Sequence, residues 1–419
     1  MIILEFKAKG KPLQYQSINE AIRTTQFIRN KCVRFWMDKE KVGRYDLNKY
    51  CKILASEFPF ANKLNSMARQ SAAERAWSSI SRFYDNCKKK ASGKKRTARA
   101  EISSASGRSK QGFPKFKKHS RSVEYKTSGW KISPDTKKIK FTDKNGIGTL
   151  KLKGTWELWH YDVKLIKRVR LVRRADGYYV QFCINADNKQ SIQPTGKTIG
   201  LDVGLKEFYT DSNGDTVANP KFYRQGEKRL KFHQRRISRK KKGSSNRRKA
   251  INRLGRTHLK ISRQREEHAK KMARCVIQSN DLVAYEDLRV KNLVKNHCLA
   301  KSINDAGWYQ FRKWLEYFGV KFGKVTVAVN PAYTSQNCSS CGETVKKSLS
   351  TRTHVCQCGC KLDRDHNAAI NILERALGTV GHTGTWVIDP NASPSGRTSC
   401  TGDLTSTVLG ENLSQQAGS

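Results

Sequence analysis

The sequence predicts a multi-domain α/β protein, and three observations predict it. A helical rhythm runs from about Ile18 to Lys90. A strand rhythm runs from Gly112 to Ala186. From Thr198 onward, short apolar strands alternate with helices. The chain has 419 residues, of which 37% are hydrophobic, which allows two to three domains with real cores.

Taken in order, Ile2 to Ala8 alternates as a strand does. Ala21-Ile22, Phe27-Ile28, Val33 and Phe35-Trp36 then form one amphipathic face, and Ala72, Ala76-Trp77, Ile80 and Phe83-Tyr84 form another. Three of the eight tryptophans, Trp36, Trp77 and Trp308, read as packing residues. A Gly/Ser/Lys-rich stretch at 91–111 reads as a mobile basic loop. Leu150–Leu152, Val169–Val172 and Tyr178–Ile184 are β-rich, with Asp176-Gly177 as a hairpin signal. Strands 198–202 and 206–210 lead to a turn at Asn213-Gly214. A Pro-free, charged stretch from Lys221 to Ile277 reads as long helix, with 20 Lys and Arg against three Glu in 221–270. Strand Leu282–Tyr285, an amphipathic helix around 303–318, strand Val325–Val329 and helix Asn367–Leu377 complete the pattern. Residues 379–419 hold one Arg and three acids among Gly, Ser and Thr, and read as a disordered tail.

Lys plus Arg number 83 against 35 Asp plus Glu, a formal net charge of +48. That excess points to a polyanionic partner, and its spread along the chain favours nucleic acid over a membrane surface. No stretch approaches the ~18 apolar residues of a membrane span. The start is too short and polar for a signal peptide. Seven of the 12 cysteines are scattered singly, which suits reduced thiols and a cytoplasmic location.

Three acidic residues stand in three separated motifs: Asp202 in Thr198-Ile-Gly-Leu-Asp-Val-Gly204, Glu286 in Asp281-Leu-Val-Ala-Tyr-Glu-Asp-Leu288, and Asp365 in Leu362-Asp-Arg-Asp-His-Asn-Ala-Ala369. Two-metal phosphodiester hydrolysis needs hard oxygen ligands around two cations ~4 Å apart. Asp202 and Glu286 both end apolar strands, and lying side by side these would bring both carboxylates to one sheet end. Gly204 would leave room for a substrate backbone. Asp365 starts a helix, where backbone N–H groups favour negative charge, and Asp363 suits its N-cap. A lone acid of this kind is more often a turn or cap residue; three in this order in a +48 chain point to catalysis.

The other five cysteines crowd together. Cys338-x2-Cys341-x14-Cys356-x-Cys358 has zinc-knuckle spacing, and Cys341-Gly342 and Cys358-Gly359 repeat one knuckle. Cys360 and His354 stand as alternatives to Cys358. Four thiolates leave no open position, so the role expected is structural. Phe113-Pro-Lys-Phe-Lys-Lys118 interleaves aromatics with lysines, as a nucleic-acid contact or a solvated loop would.

At Gly112–Lys117, Gly200–Gly204, Tyr285–Leu288, Thr334–Gly342 and Asp363–Ile372 the chain resembles the TnpB family, insertion-sequence RNA-guided nucleases related to type V CRISPR effectors. The resemblance spans about 112–372, is looser before it, and is absent from the tail. It implies an RNase H-like RuvC nuclease domain (196–330 and 361–378) with an inserted zinc ribbon (331–360). It implies a preceding β-barrel wedge domain (1–13 and 101–195) carrying an inserted α-helical recognition lobe (14–100). On that template Asp202, Glu286 and Asp365 hold two catalytic Mg²⁺, and Cys338, Cys341, Cys356 and Cys358 hold one structural Zn²⁺. The Cys-x-Cys pair departs from the commoner family spacing. The function implied is cleavage of double-stranded DNA beside a short transposon-adjacent motif, directed by a transposon-end guide RNA held in a positive channel. The alternatives are a nuclease-silent RNA-guided DNA-binding protein and a guide-free zinc-ribbon transposase accessory protein.

Overall fold

A computed structural model describes residues 2–89, 112–154, 158–348 and 351–381. The basic stretch at 91–111 lies outside these residues, as does the predicted tail apart from 379–381. Two compact units divide the chain, Met1–Asn188 and Lys189–Ser419.

In the first unit, strand β1 (Ile2–Lys9) leads into helices α1 (Pro12–Asp38), α2 (Arg44–Glu57), α3 (Pro59–Lys63) and α4 (Ser66–Lys88). Six strands follow: β2 (Ser122–Tyr125), β3 (Trp130–Ile132), β4 (Lys138–Phe141), β5 (Thr149–Lys153), β6 (Ile166–Arg174) and β7 (Gly177–Ile184). All seven join one antiparallel sheet in the order β2-β6-β7-β1-β5-β4-β3. The β6–β7 hairpin turns where Asp176-Gly177 predicts it, with Gly177 at φ 138°. Helix α1 begins at Pro12, which has no N–H to leave unpaired at a first turn. Ile18, Ala21, Ile22, Thr25, Ile28 and Cys32 recur at helical spacing and are buried. Small residues Ala68, Ala72 and Ala76 form the buried face of α4. Phe113 packs its ring on Trp36 and Phe83 at 5.4 and 5.3 Å, while Phe116 stays 48% exposed.

The second unit holds β8 (Thr198–Asp202), β9 (Glu207–Asp211), β10 (Thr216–Ala218), α5 (Phe222–Ser238), α6 (Ser245–Ser279), β11 (Leu282–Glu286), α7 (Val290–Leu293), α8 (His297–Ala306), α9 (Trp308–Phe322) and β12 (Val325–Val329). The hairpin β13 (Thr353–Val355) and β14 (Lys361–Asp363) and helix α10 (Arg364–Gly381) complete it. Five strands form a mixed sheet in the order β10-β9-β8-β11-β12, in which β8, β11 and β12 run parallel. Alternation along the parallel strands sends Ile199, Leu201, Val283 and Tyr285 into a core with α6 and α9. Leu282 and Ala284 pack with Ile372 and Ala376 of α10.

Two long helices predicted from sequence are broken. The 221–277 stretch divides into α5 and α6 at a turn where Gly243 has φ 83° and the Ser244 hydroxyl accepts the Arg247 N–H at 3.1 Å. The helix around 303–318 divides at Gly307, φ 75°. Of the singly placed cysteines, Cys32, Cys51, Cys87, Cys183 and Cys298 are free thiols. No helix among the described residues is long and apolar enough to cross a membrane.

Candidate active site and cysteine knuckle

Strand pairing brings the first two acids together. β8 and β11 are parallel neighbours with Leu201 opposite Tyr285, so Asp202 and Glu286, each one residue further on, leave the same sheet end. The third acid comes from the opposite layer. Helix α10 lies against β8 because Gly200 has no side chain: a Cβ there would sit 2.2 Å from the Ala369 carbonyl oxygen and 2.9 Å from Leu373 Cβ. Asp363 caps the helix, accepting the N–H of Asp365 at 2.8 Å and of His366 at 3.4 Å. Asp365 thereby stands in the first turn, where its charge reaches Asp202; the three acids are not gathered as closely as the cysteines described below.

These charges are felt. Burial, then the Glu286 and Asp365 charges, push the Asp202 carboxyl well above the usual carboxylate range, with the Arg364 guanidinium opposing. Burial also raises Glu286, against a hydrogen bond from the Thr334 hydroxyl at 2.5 Å and the nearby Arg375 charge. Asp365 is held by guanidinium N–H groups: Arg364 Nη2 at 2.9 Å, Arg364 Nε at 3.1 Å and Arg352 Nη1 at 3.2 Å. Two carboxylates that repel each other at a sheet end have the hard donors that a divalent cation needs.

The cysteine set is closer still. The Sγ atoms of Cys338, Cys341, Cys356 and Cys358 lie within 4.8 Å of one another, and among the described residues no other His/Cys/Asp/Glu group of three or more is so gathered. Cys338–Cys358 and Cys341–Cys356 are 3.7 and 3.5 Å apart. A tetrahedron with Zn–S of about 2.3 Å has edges of about 3.8 Å, so this donor set fits zinc. Cys360 stands outside the set; its carbonyl accepts the Cys356 N–H at 3.0 Å. Burial opposes charge on Cys338, but the N–H groups of Cys341 and Ser340 and the His354 side chain outweigh it and pull the thiol down to about 5. Against the Glu343 backbone N–H, hydrogen bonds with Cys358 and Cys356 push Cys341 up to about 12. A divalent cation entering there displaces protons.

Sequence reasoning missed what joins the two sites. Asn367 and Asn371, four residues apart on α10, are both buried. Asn367 Nδ2 donates to the Asn337 carbonyl at 2.7 Å, and its Oδ1 accepts the Ser339 N–H at 3.0 Å. Asn371 Nδ2 donates to the Thr334 and Asn337 carbonyls, each at 2.8 Å. One turn further, Arg375 Nη1 donates to the Asn330 and Ala332 carbonyls. One stripe of α10 thus grips the segment that carries Cys338, while the adjoining face lies on the sheet. The signal was the Asn-x3-Asn spacing inside the last motif. A Cβ at Gly204 would meet the Glu207 carbonyl oxygen at 3.0 Å, the Gly204 carbonyl accepts the Trp308 indole N–H at 3.2 Å, and the close approach of helix to strand is at Gly200.

Comparison with known proteins matches residues 181–297 to a family described as a probable transposase, OrfB_IS605, and residues 308–372 to the Cas12f1-like TNB domain. A putative RNA-guided DNA endonuclease of Streptomyces pristinaespiralis is 39% identical over 185 residues, 44% of this chain and 46% of that one. The putative RNA-guided DNA endonuclease InsQ of Escherichia coli K12 is 29% identical over 284 residues, 64% of this chain and 69% of that one. The match thus spans about half the length of the first relative. A solved Cas12f1–sgRNA–target DNA complex overlays with TM-score 0.48 and 15% identity, over 86% of this chain and 81% of that one.

Proposed function

We propose that this chain, a relative of the TnpB-like proteins, is an RNA-guided endonuclease that hydrolyses DNA phosphodiesters through a two-metal RuvC-type centre of Asp202, Glu286 and Asp365. The observation that carries the reading is the pairing of β8 with β11, which sets Asp202 beside Glu286 under the helix that presents Asp365. The strand order, with three adjacent parallel strands that end at the β12 edge and an antiparallel hairpin at the other edge, supports an RNase H-like fold.

Asp202, on the central strand with neighbours on both sides, would be the most firmly placed of the residues to hold the metal. Glu286 is oriented by Thr334, and Asp365, which accepts from Arg364, would be a further residue to hold the metal. Bound Mg²⁺ supplies an activated water and neutralises the phosphate's developing charge. Asp363 holds the helix start, and Arg364 remains beside the centre for the phosphate. Cys338, Cys341, Cys356 and Cys358 hold Zn²⁺ as a structural tie, the zinc ribbon inserted in the RuvC domain. The +48 charge supports a guide RNA and double-stranded DNA as partners, read by shape and backbone, with cutting beside a short transposon-adjacent motif.

The test is cleavage of a plasmid library by the protein with its co-purified RNA and Mg²⁺. Asp202→Ala is expected to reduce cutting by at least about a thousandfold while RNA still co-purifies. Cutting equal to wild type by that variant sinks the nuclease assignment, and absence of any specific RNA sinks the guide.

A further inference from the structure

The segment between β12 and Cys338 carries a side chain that neither the carboxylates nor the knuckle uses. Tyr333 has φ 63°, in the left-handed region where a residue with a Cβ is strained. Glycine or asparagine holds that conformation at lower cost. Four non-glycine residues among those described have positive φ, and Tyr333 is the one aromatic. Packing returns little for that cost, since Tyr333 is 62% exposed.

The backbone is fixed on both sides of the tyrosine. Every carbonyl from residue 330 to residue 334 accepts a hydrogen bond. Arg375 Nη1 donates to Asn330 at 2.9 Å and to Ala332 at 2.6 Å, and the Thr334 hydroxyl donates to Pro331 at 3.2 Å. The N–H groups of Gln336 and Asn337 donate to Tyr333 at 3.0 and 2.9 Å, and Asn371 Nδ2 donates to Thr334 at 2.8 Å. The Asn330 side chain accepts the Ala332 N–H at 3.0 Å. A strained residue persists where its surroundings over-determine it in this way, and such residues cluster at ligand sites. The next residue is Thr334, buried, with its hydroxyl on Glu286 at 2.5 Å. Neighbouring Cα atoms are about 3.8 Å apart, so an exposed ring is held one residue from a group that touches the carboxylates.

We infer that Tyr333 is a stacking platform for one unpaired base of the DNA strand being cut, next to the scissile phosphodiester. This role rests on the proposed nuclease reading and adds to it the residue that seats the strand. An aromatic ring stacks on any base, because every base has a π-face, so the platform tolerates all sequences. A base held beside the bond limits the strand's freedom and presents the phosphate to the centre in one orientation.

The test is single-turnover cutting by the full chain with its co-purified RNA and Mg²⁺, on a DNA target matched to that RNA, with the wild-type cut mapped first. Tyr333→Phe keeps the ring and is expected to cut within about twofold of wild type. Tyr333→Leu keeps the backbone strain but loses the ring, and its cutting rate is expected to fall about fivefold or more. Tyr333→Asn suits the left-handed backbone, so it is expected to melt no lower than wild type and still to cut as slowly as Tyr333→Leu. Removing one of the two bases that flank the cut bond, as an abasic site, is expected to slow the wild type by a similar factor. The same target is expected to slow Tyr333→Leu no further, because the stacking partner is already gone. Tyr317→Leu, at an exposed tyrosine on α9, is the control and is expected to lose less than about twofold. Wild-type rates from both Tyr333→Leu and Tyr333→Asn overturn the platform, as does an abasic loss that multiplies with the Tyr333→Leu loss, or a Tyr317→Leu loss of equal size. Should Tyr333→Asn melt lower than wild type, the Phe and Leu variants, alike in backbone strain, decide. A wild-type protein that cuts no target contradicts the proposed function itself.

Discussion

Buried carboxylates in the two units behave in opposite ways. In the first, Arg170, Arg75 and Arg168 hold the Glu124 carboxyl below the usual range in spite of its burial, and Lys126 and Arg44 do the same for Glu74. In the second, burial and neighbouring acids drive Asp202 above that range, and burial raises Glu286. Both pairs lie out of bulk water; they differ in what faces them. A carboxylate ringed by guanidinium groups already has its counter-charge. One that faces other carboxylates lacks it, and a divalent cation is what relieves the repulsion.

The contrast is open to breaking. The largest effect is expected at the frame under the second pair: Gly200→Leu forces α10 off β8 and costs more than about 3 kcal/mol, with loss of cleavage, read by thermal melt and plasmid cutting. Next, Glu124→Ala strands Arg75 and Arg170 and costs about 3 kcal/mol in denaturant unfolding. Asp202→Asn has the reverse sign, stabilising the protein by on the order of 1 kcal/mol at neutral pH without added metal, while abolishing cutting. A destabilised Asp202→Asn protein would remove the contrast. The pH dependences differ as well. Glu124 and Glu74, being lowered, contribute stability that is complete above the ordinary Glu value and is lost as acid carries the pH through their folded values. Asp202 and Glu286, being raised, cost stability as pH rises from their ordinary values through their folded ones, and Mg²⁺ competes with protons in that window. Melts with and without Mg²⁺ across pH 3 to 8 read both limbs. The smallest effect is at Thr334→Val, which removes a hydrogen bond to charged Glu286 and moves the acid limb of the cleavage profile upward by roughly one pH unit.

The strands that carry Asp202 and Glu286 are legible in the sequence because apolar runs of four residues end abruptly in an acid, and the parallel pairing follows from the helices between them. The cysteine set is legible from spacing alone. What was not legible is long-range. Glu74 meets Lys126 and Arg168 across 52 and 94 residues of chain, and nothing local marks those partners. The breaks at Gly243 and Gly307 were hidden because each glycine sits within a continuous helical pattern and only its positive φ ends the helix. Gly200 and Gly204 look alike on paper; which one lies under a helix depends on the layer above. Asn367 and Asn371 read as polar helix residues until the carbonyls of Thr334 and Asn337 appear opposite them.

That amide stripe makes α10 a shared spar. On one side it is fastened through Asn337 and Ser339 to the knuckle, and at its first turn it delivers Asp365 to the carboxylate centre. Two residue sets that share no side chain, the knuckle and the acids, are thereby joined through one helix. Were the knuckle to hold zinc and the acids Mg²⁺, reciprocity would apply: emptying the knuckle would weaken Mg²⁺ binding, and Mg²⁺ would tighten the equilibrium binding of zinc by the same factor.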